Sequence, residues 1–132
     1  MTGIDTNVLL RFILKDDPIQ TPQARALFQS LSSENPGWIS LASVLEIVWV
    51  LSSRKNMDRV TVSQTISDLL FLDALIVEQA DVVASAIEFF NSSRADFADC
   101  LILASVRVAG CSRTVTFDQV AARDLGMELL GT

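Results

Sequence analysis

The chain contains no histidine and no tyrosine, which removes histidine triads, histidine-bearing zinc sites and tyrosine nucleophiles from its possible chemistry. Carboxylates, hydroxyls, lysine or arginine must do the work. Cysteine is scarce: Cys100 and Cys111 are the only two, and across a helical segment they stand roughly 16 Å apart, beyond the ~7 Å Cα limit for a disulfide. Both are expected to be reduced thiols, as in a cytoplasmic protein. Apolar runs such as Ile47 to Leu51 fall far short of the ~18 residues that cross a membrane. Asp5 precedes any apolar stretch and Arg11 interrupts Val8 to Leu14, so no secretory signal is expected either. Basic residues number ten against sixteen acids, a formal charge of −6. That is the wrong sign for gripping a phosphate backbone by net charge alone.

What is present suits one globular α/β domain over residues 1–132, since half the residues are apolar and 20% are charged. Met1–Ile4 predicts a short strand. Asp5-Thr6-Asn7 then supplies helix-capping residues ahead of Val8–Leu14, and Pro22 suits the first turn of a second helix through Ala24, Leu27, Phe28 and Leu31. Trp38–Leu41 predicts a strand. Ser43–Ser53 predicts a helix apolar around nearly its whole circumference and therefore buried. A polar connection, Arg54–Arg59, leads to a helix through Val62, Ile66, Leu69, Leu70 and Phe71, then to a buried strand at Leu75–Val77. Helices over Ala80–Phe90 and Phe97–Ala109, a strand at Arg113–Phe117, a short helix at Val120–Leu125 and a strand at Met127–Leu130 follow. Alternation of this kind implies a three-layer α/β/α sandwich with a largely parallel central sheet. Trp38, Trp49 and the Phe71 region lie in apolar patterns and are read as core or subunit packing.

In parallel sheets ligands bind beyond the carboxyl ends of strands, where Asp5 and Asp118 both fall. Each also has a purely structural reading, Asp5 as an N-cap and Asp118 as a turn residue. Thr116, two residues before Asp118 on the same strand, shares its face and can orient that carboxylate or a water. Glu46 lies with Ser43, Val50 and Ser53 on a narrow line of an otherwise apolar helix; burying an unpaired carboxylate is costly, so it is expected to face a polar cleft. Asp96 and Asp99 stand one helical turn apart. They can face one site, or form a cap and an acidic first turn.

Such acids, gathered together, repel one another and raise each other's pKa unless a cation intervenes, and hard dications prefer oxygen ligands. Magnesium or manganese is the expected counterion. Setting aside Asp5, Glu46, Asp96, Asp99 and Asp118 leaves eleven acids against ten bases, a charge of only −1. One or two bound dications therefore remove the electrostatic objection to a phosphodiester substrate. Arg11 on the first helix, and Arg54, Lys55 and Arg59 in the connection, can touch phosphate, although solvated surface positions suit them better.

Ile4-Asp5-Thr6-Asn7-Val8-Leu9, Glu46, Asp99-Cys100-Leu101-Ile102 and Thr116-Phe117-Asp118, in this order and spacing, resemble the PIN-domain family, especially the VapC-type ribonuclease toxins of bacterial toxin–antitoxin pairs. The resemblance covers essentially the whole chain. It implies an acidic metal site of Asp5, Glu46, Asp99 and Asp118, with Asp5 and Asp99 as direct ligands, Glu46 and Asp118 acting through water, and Asp96 in the outer shell. It further implies Mg²⁺- or Mn²⁺-dependent endonucleolytic hydrolysis of RNA that leaves a 5′-phosphate, a homodimer, and a cognate antitoxin covering the acidic cleft.

Two other readings stay open on sequence. One is a catalytically silent PIN-like module that binds RNA or protein, which would normally have lost a central acid. The other is a haloacid-dehalogenase-like phosphohydrolase with an N-terminal aspartate nucleophile. Against the latter, Asn7 occupies the position two beyond Asp5, where that mechanism wants a second acid.

Overall fold

The structure, a computed structural model, describes residues 1–131; Thr132, the last residue of the domain expected from sequence, lies outside the described residues. The chain divides into two units, Met1–Ala80 and the segment from Asp81 onward.

In the first unit, β1 (Thr2–Gly3) leads into α1 (Thr6–Leu14) and α2 (Gln20–Ser30) before β2 (Gly37–Ile39). Then α3 (Leu41–Trp49) runs on as a π-helical turn over Val50–Arg54, and α4 (Arg59–Leu70) precedes β3 (Leu75–Val77). Two helices between successive strands give the chain room to return, so both strand pairs are parallel, in the order β1-β2-β3. Gly37 pairs with Thr2 on one side and Leu75 on the other. A Cβ there would stand 2.5 Å from Ile4 Cδ1 and 2.9 Å from Leu31 Cδ1, so glycine lets those core side chains close over the strand. The short lead is thereby tied in, with Ile4 N–H donating to the Trp38 carbonyl at 3.0 Å.

The middle strand stops at Ile39, not at Leu41 as the sequence pattern suggests, because Ser40 turns the chain. Its extended backbone and its hydroxyl, which accepts from Ser43 N–H, make it the N-cap of α3. The expectation that this helix is apolar all round and buried is corrected. Ser43, Val44, Ile47, Val48 and Leu51 are buried, whereas Ala42, Leu45, Glu46 and Trp49 are exposed. The buried positions repeat at four-residue intervals and form one stripe. The second apolar pair, Leu45 and Trp49, lies on the other side of the cylinder. Trp49, expected in packing, is 56% exposed, and the Arg54 guanidinium lies 5.2 Å from its ring centroid. Phe71 is 83% exposed, since α4 ends at Leu70 and leaves it at the C-cap; of the core or subunit packing expected of these two residues, the core half is corrected. Trp38 is half-buried.

The second unit takes in α5 (Ala80–Ser92) from its second residue on, α6 (Phe97–Val108), β4 (Val115–Thr116), α7 (Gln119–Leu125) and β5 (Glu128–Leu129). Phe90 and Phe97 meet edge to face, their centroids 5.7 Å apart, at the turn between α5 and α6. Gly126 ends α7 in the left-handed conformation, φ 72°, that glycine adopts without a Cβ penalty. β4 and β5 pair in parallel, Val115 with Glu128 and Thr116 with Leu129. The strand–helix alternation and the parallel pairing expected of an α/β fold are therefore both present, the pairing carried by a three-stranded and a two-stranded sheet. Cys100 is buried and Cys111 exposed, and no disulfide joins them. Among the described residues no helix is long and apolar enough to cross a membrane.

Candidate functional site

In the first unit two acids converge on one threonine. Asp5 follows β1 and caps α1, its Oδ1 accepting from Thr6 N–H at 2.7 Å. The Thr6 hydroxyl donates to Glu46 Oε1 at 2.6 Å, from a residue only 6% exposed. Thr6 thus holds Asp5 through its backbone and Glu46 through its side chain. Thr6 Oγ1 also lies 3.0 Å from the Ser43 hydroxyl, which in turn lies 3.2 Å from that of Ser40. A hydroxyl has one proton, so the shorter, charge-assisted bond to Glu46 claims that of Thr6, and Ser43 can satisfy the Thr6 lone pair in return. Glu46 itself is exposed, where the sequence suggests a polar cleft. Only its contact with Thr6 is drawn inward, because it lies beside the buried stripe of α3.

In the second unit Asp96 caps α6 and accepts from Asp99 N–H at 2.8 Å. Asp118 caps α7 and accepts from Ala121 N–H at 2.8 Å. The structural readings of Asp5 and Asp96 as caps are therefore correct as far as they go, and Asp118, read from sequence as a turn residue, is the N-cap of α7. Each cap uses one carboxylate oxygen and leaves the other outside the helix hydrogen bonding. Asp99, half-buried in the first turn of α6, is pushed above the usual carboxylate range. Burial is the largest cause, followed by the charges of Asp96 and Asp118 and then the Asp96 side-chain hydrogen bond. The helix dipole favours a negative charge at this position; here desolvation and repulsion outweigh it. The Thr116 hydroxyl accepts from Asp118 N–H at 3.0 Å, so it fixes the backbone that carries the carboxylate.

Each unit therefore gathers its own acids, Asp5 with Glu46 in one and Asp96, Asp99 and Asp118 in the other. Within neither unit, among the described residues, do three histidine, cysteine or acidic side chains take up a geometry that could hold a metal ion. The donor type nonetheless fits a hard dication, since all these acids offer oxygen and the repulsion at Asp99 is of the kind a cation relieves.

The PIN domain model matches residues 4–124. The chain belongs to the PIN domain family. That match displaces the haloacid-dehalogenase-like alternative and points to a nuclease in general terms, a hydrolase that binds RNA, in a family that typically uses divalent metals. No curated protein matches the chain.

Two residues of this PIN domain escape a reading from sequence. Thr6 looks like one more capping residue, and nothing local announces that its hydroxyl bonds a carboxylate 40 residues away. Glu78 lies directly beyond β3, the position that singled out Asp5 beyond the first strand; its Oε1 accepts from Leu41 N–H at 2.8 Å and satisfies the first amide of α3. The strand-end rule could have found it. Of the basic residues, Arg11 and Lys55 both reach Asp16, at 3.7 and 3.5 Å, and Arg54 covers Trp49, in keeping with a surface role.

Proposed function

We propose that this PIN domain is a Mg²⁺- or Mn²⁺-dependent endoribonuclease and the toxin of a toxin–antitoxin pair, acting in the cytoplasm as a homodimer restrained by a cognate antitoxin. Its metal-holding acids are Asp5, Glu46, Asp99 and Asp118. The observation that carries the reading is Asp99, kept above the usual carboxylate range beside two other carboxylates. Asp96 and Asp118 serve folding as helix caps, but an ionised Asp99 beside them works against it. The toxin and dimer parts of the proposal rest on the likeness of the Asp5, Glu46, Asp99 and Asp118 motifs to VapC-type sequences.

When bound, the dication supplies Lewis acidity toward phosphate oxygens and makes a nearby water more acidic. The rest falls to the chain. Asp5 and Asp99 would hold the ion as direct ligands, with their backbones pinned by the caps of α1 and α6. Glu46 has Oε1 engaged by Thr6 and offers Oε2 to a water, which it orients and whose proton it can accept. Asp118, steadied through its N–H by Thr116, works through water as well, and Asp96 tunes Asp99 from outside. Hydrolysis in this form needs no histidine base and leaves a 5′-phosphate.

The test is to map RNA ends after brief expression and in purified reactions, comparing the native chain with Asp5→Asn. New 5′-phosphate ends are expected with the native chain alone and only when Mg²⁺ or Mn²⁺ is supplied. Equal cleavage by Asp5→Asn, or cleavage undiminished by a chelator, would overturn the proposal.

Thr6 provides a finer check. Thr6→Val keeps the shape but removes the donor to Glu46, and is expected to slow cleavage about 10–100-fold, the usual cost of losing a partner that orients a ligand. Thr6→Ser restores the hydroxyl and should recover most of the rate. Steady-state kinetics on one RNA, with circular dichroism as a folding control, reads both; equal rates for the valine and serine variants would remove Thr6 from the account.

A further inference from the structure

We infer that the cavity between α1 and α2 is a nucleobase pocket that receives an unpaired adenine of the RNA beside the cleaved bond; this rests on the nuclease reading above. The cavity measures about 440 Å³ and is lined by Asn7, Arg11, Gln20 and Gln23, with Val8 and Leu27 among its apolar walls. Pockets for small ligands start at roughly 300 Å³, so a base fits with space for part of its ribose. Helical spacing accounts for the lining. Asn7 and Arg11 are four apart on α1, while Gln20, Gln23 and Leu27 follow three- and four-residue steps on α2, so each set shares a face.

The lining is rich in carboxamides. Three carboxamides each carry a paired donor and acceptor, the pattern that matches the N6/N7 edge of adenine in two parallel hydrogen bonds. Gln20 already has its orientation set, because its Oε1 accepts from Arg11 Nε at 2.7 Å; its NH₂ group is left as the donor. Arg11 is steadied in turn by Asp16, and a planar guanidinium held on two sides offers a face on which a base can stack. Val8 and Leu27 supply the apolar contact that a base plane also needs. Location completes the argument. Asn7 stands two residues beyond Asp5 in the first turn of the helix that Asp5 caps, so a base in the cavity belongs to a nucleotide close to the phosphate that Asp5 would serve.

The experiment is an NMR titration of the folded protein with AMP, GMP, CMP and UMP, and with ribose 5-phosphate as the baseless control, following the side-chain NH₂ signals of Asn7, Gln20 and Gln23. AMP is expected to move these signals saturably and at lower concentration than the other nucleotides, with ribose 5-phosphate leaving them in place. Gln23→Ala should weaken AMP about tenfold; Gln23 is exposed, so the fold survives, and Gln20→Ala serves as a second probe. Signals unmoved by every nucleotide, or moved equally by ribose 5-phosphate, would overturn the pocket and leave the cavity to a protein side chain. Unchanged AMP binding in both variants would do the same. No divalent metal is needed for this readout, so the two readings fail separately. Base-dependent shifts without RNA cleavage would defeat the nuclease and keep the pocket, and cleavage with unmoved amides would do the reverse.

Discussion

Asp99→Asn is expected to abolish RNA cleavage and at the same time to make the metal-free protein more stable at neutral pH. If Asp99 is the direct metal ligand proposed above, its loss should cost roughly 10³-fold in rate, which corresponds to about 4 kcal/mol of transition-state stabilisation. The gain in stability follows from the raised pKa of Asp99, caused first by burial and then by the Asp96 and Asp118 charges. In the unfolded chain this carboxyl titrates near 3.8, and in the folded protein it titrates higher. Between those values the folded state binds more protons, so stability falls as pH rises through that interval and stays lowered above it. Asparagine carries no charge to repel. The variant should therefore melt above the native protein at pH 7 in chelator-treated buffer, with the difference vanishing below about pH 3.8. Thermal melts across this range check the sign. A variant less stable than the native chain at pH 7, with cleavage intact, would contradict both halves.

Ile47→Ala should have the largest effect on folding itself. Ile47 is fully buried on the stripe of α3 that faces the core, and removing three carbons leaves a cavity that the surrounding Val44, Val48 and Leu51 cannot close without breaking the helix. The expected cost is about 2–5 kcal/mol, a large share of the ~5–15 kcal/mol that holds a domain together. Leu45→Ala, one helical face away and already exposed, should change stability by less than ~0.5 kcal/mol. Urea unfolding of the pair measures the contrast. Equal losses would mean that α3 is buried all round after all, as its composition suggests.

Those two positions also mark where the sequence stops being legible. Capping residues and apolar spacing locate α1, α6 and α7 to within a residue or two and bound the strand at Leu75–Val77, because these signals are local: a side chain bonds an amide one to three residues on, or a short apolar run ends at an acid. Burial is not local in this way, and Ile76, expected in a buried strand, is 45% exposed. Leu45 and Ile47 are both apolar on one helix, and composition cannot say which face another element covers. For the same reason composition cannot tell whether Trp49 and Phe71 serve the core, from which their exposure removes them, or subunit packing. Within the candidate site, Asp5, Asp96, Asp99 and Asp118 stand at helix starts that the sequence announces. The link from Thr6 to Glu46 spans 40 residues and exists only once α1 and α3 are side by side.

The central claim is that the four acids act together on a dication, and calorimetric titration with Mn²⁺ tests it without recourse to any substrate. The native protein should bind Mn²⁺ saturably, and Asp5→Asn and Asp99→Asn should each abolish that binding while melting as folded proteins. Asparagine caps a helix about as well as aspartate, so Asp5→Asn keeps the start of α1 intact. Undiminished Mn²⁺ affinity in both variants, or a native protein that does not bind Mn²⁺, would contradict the account.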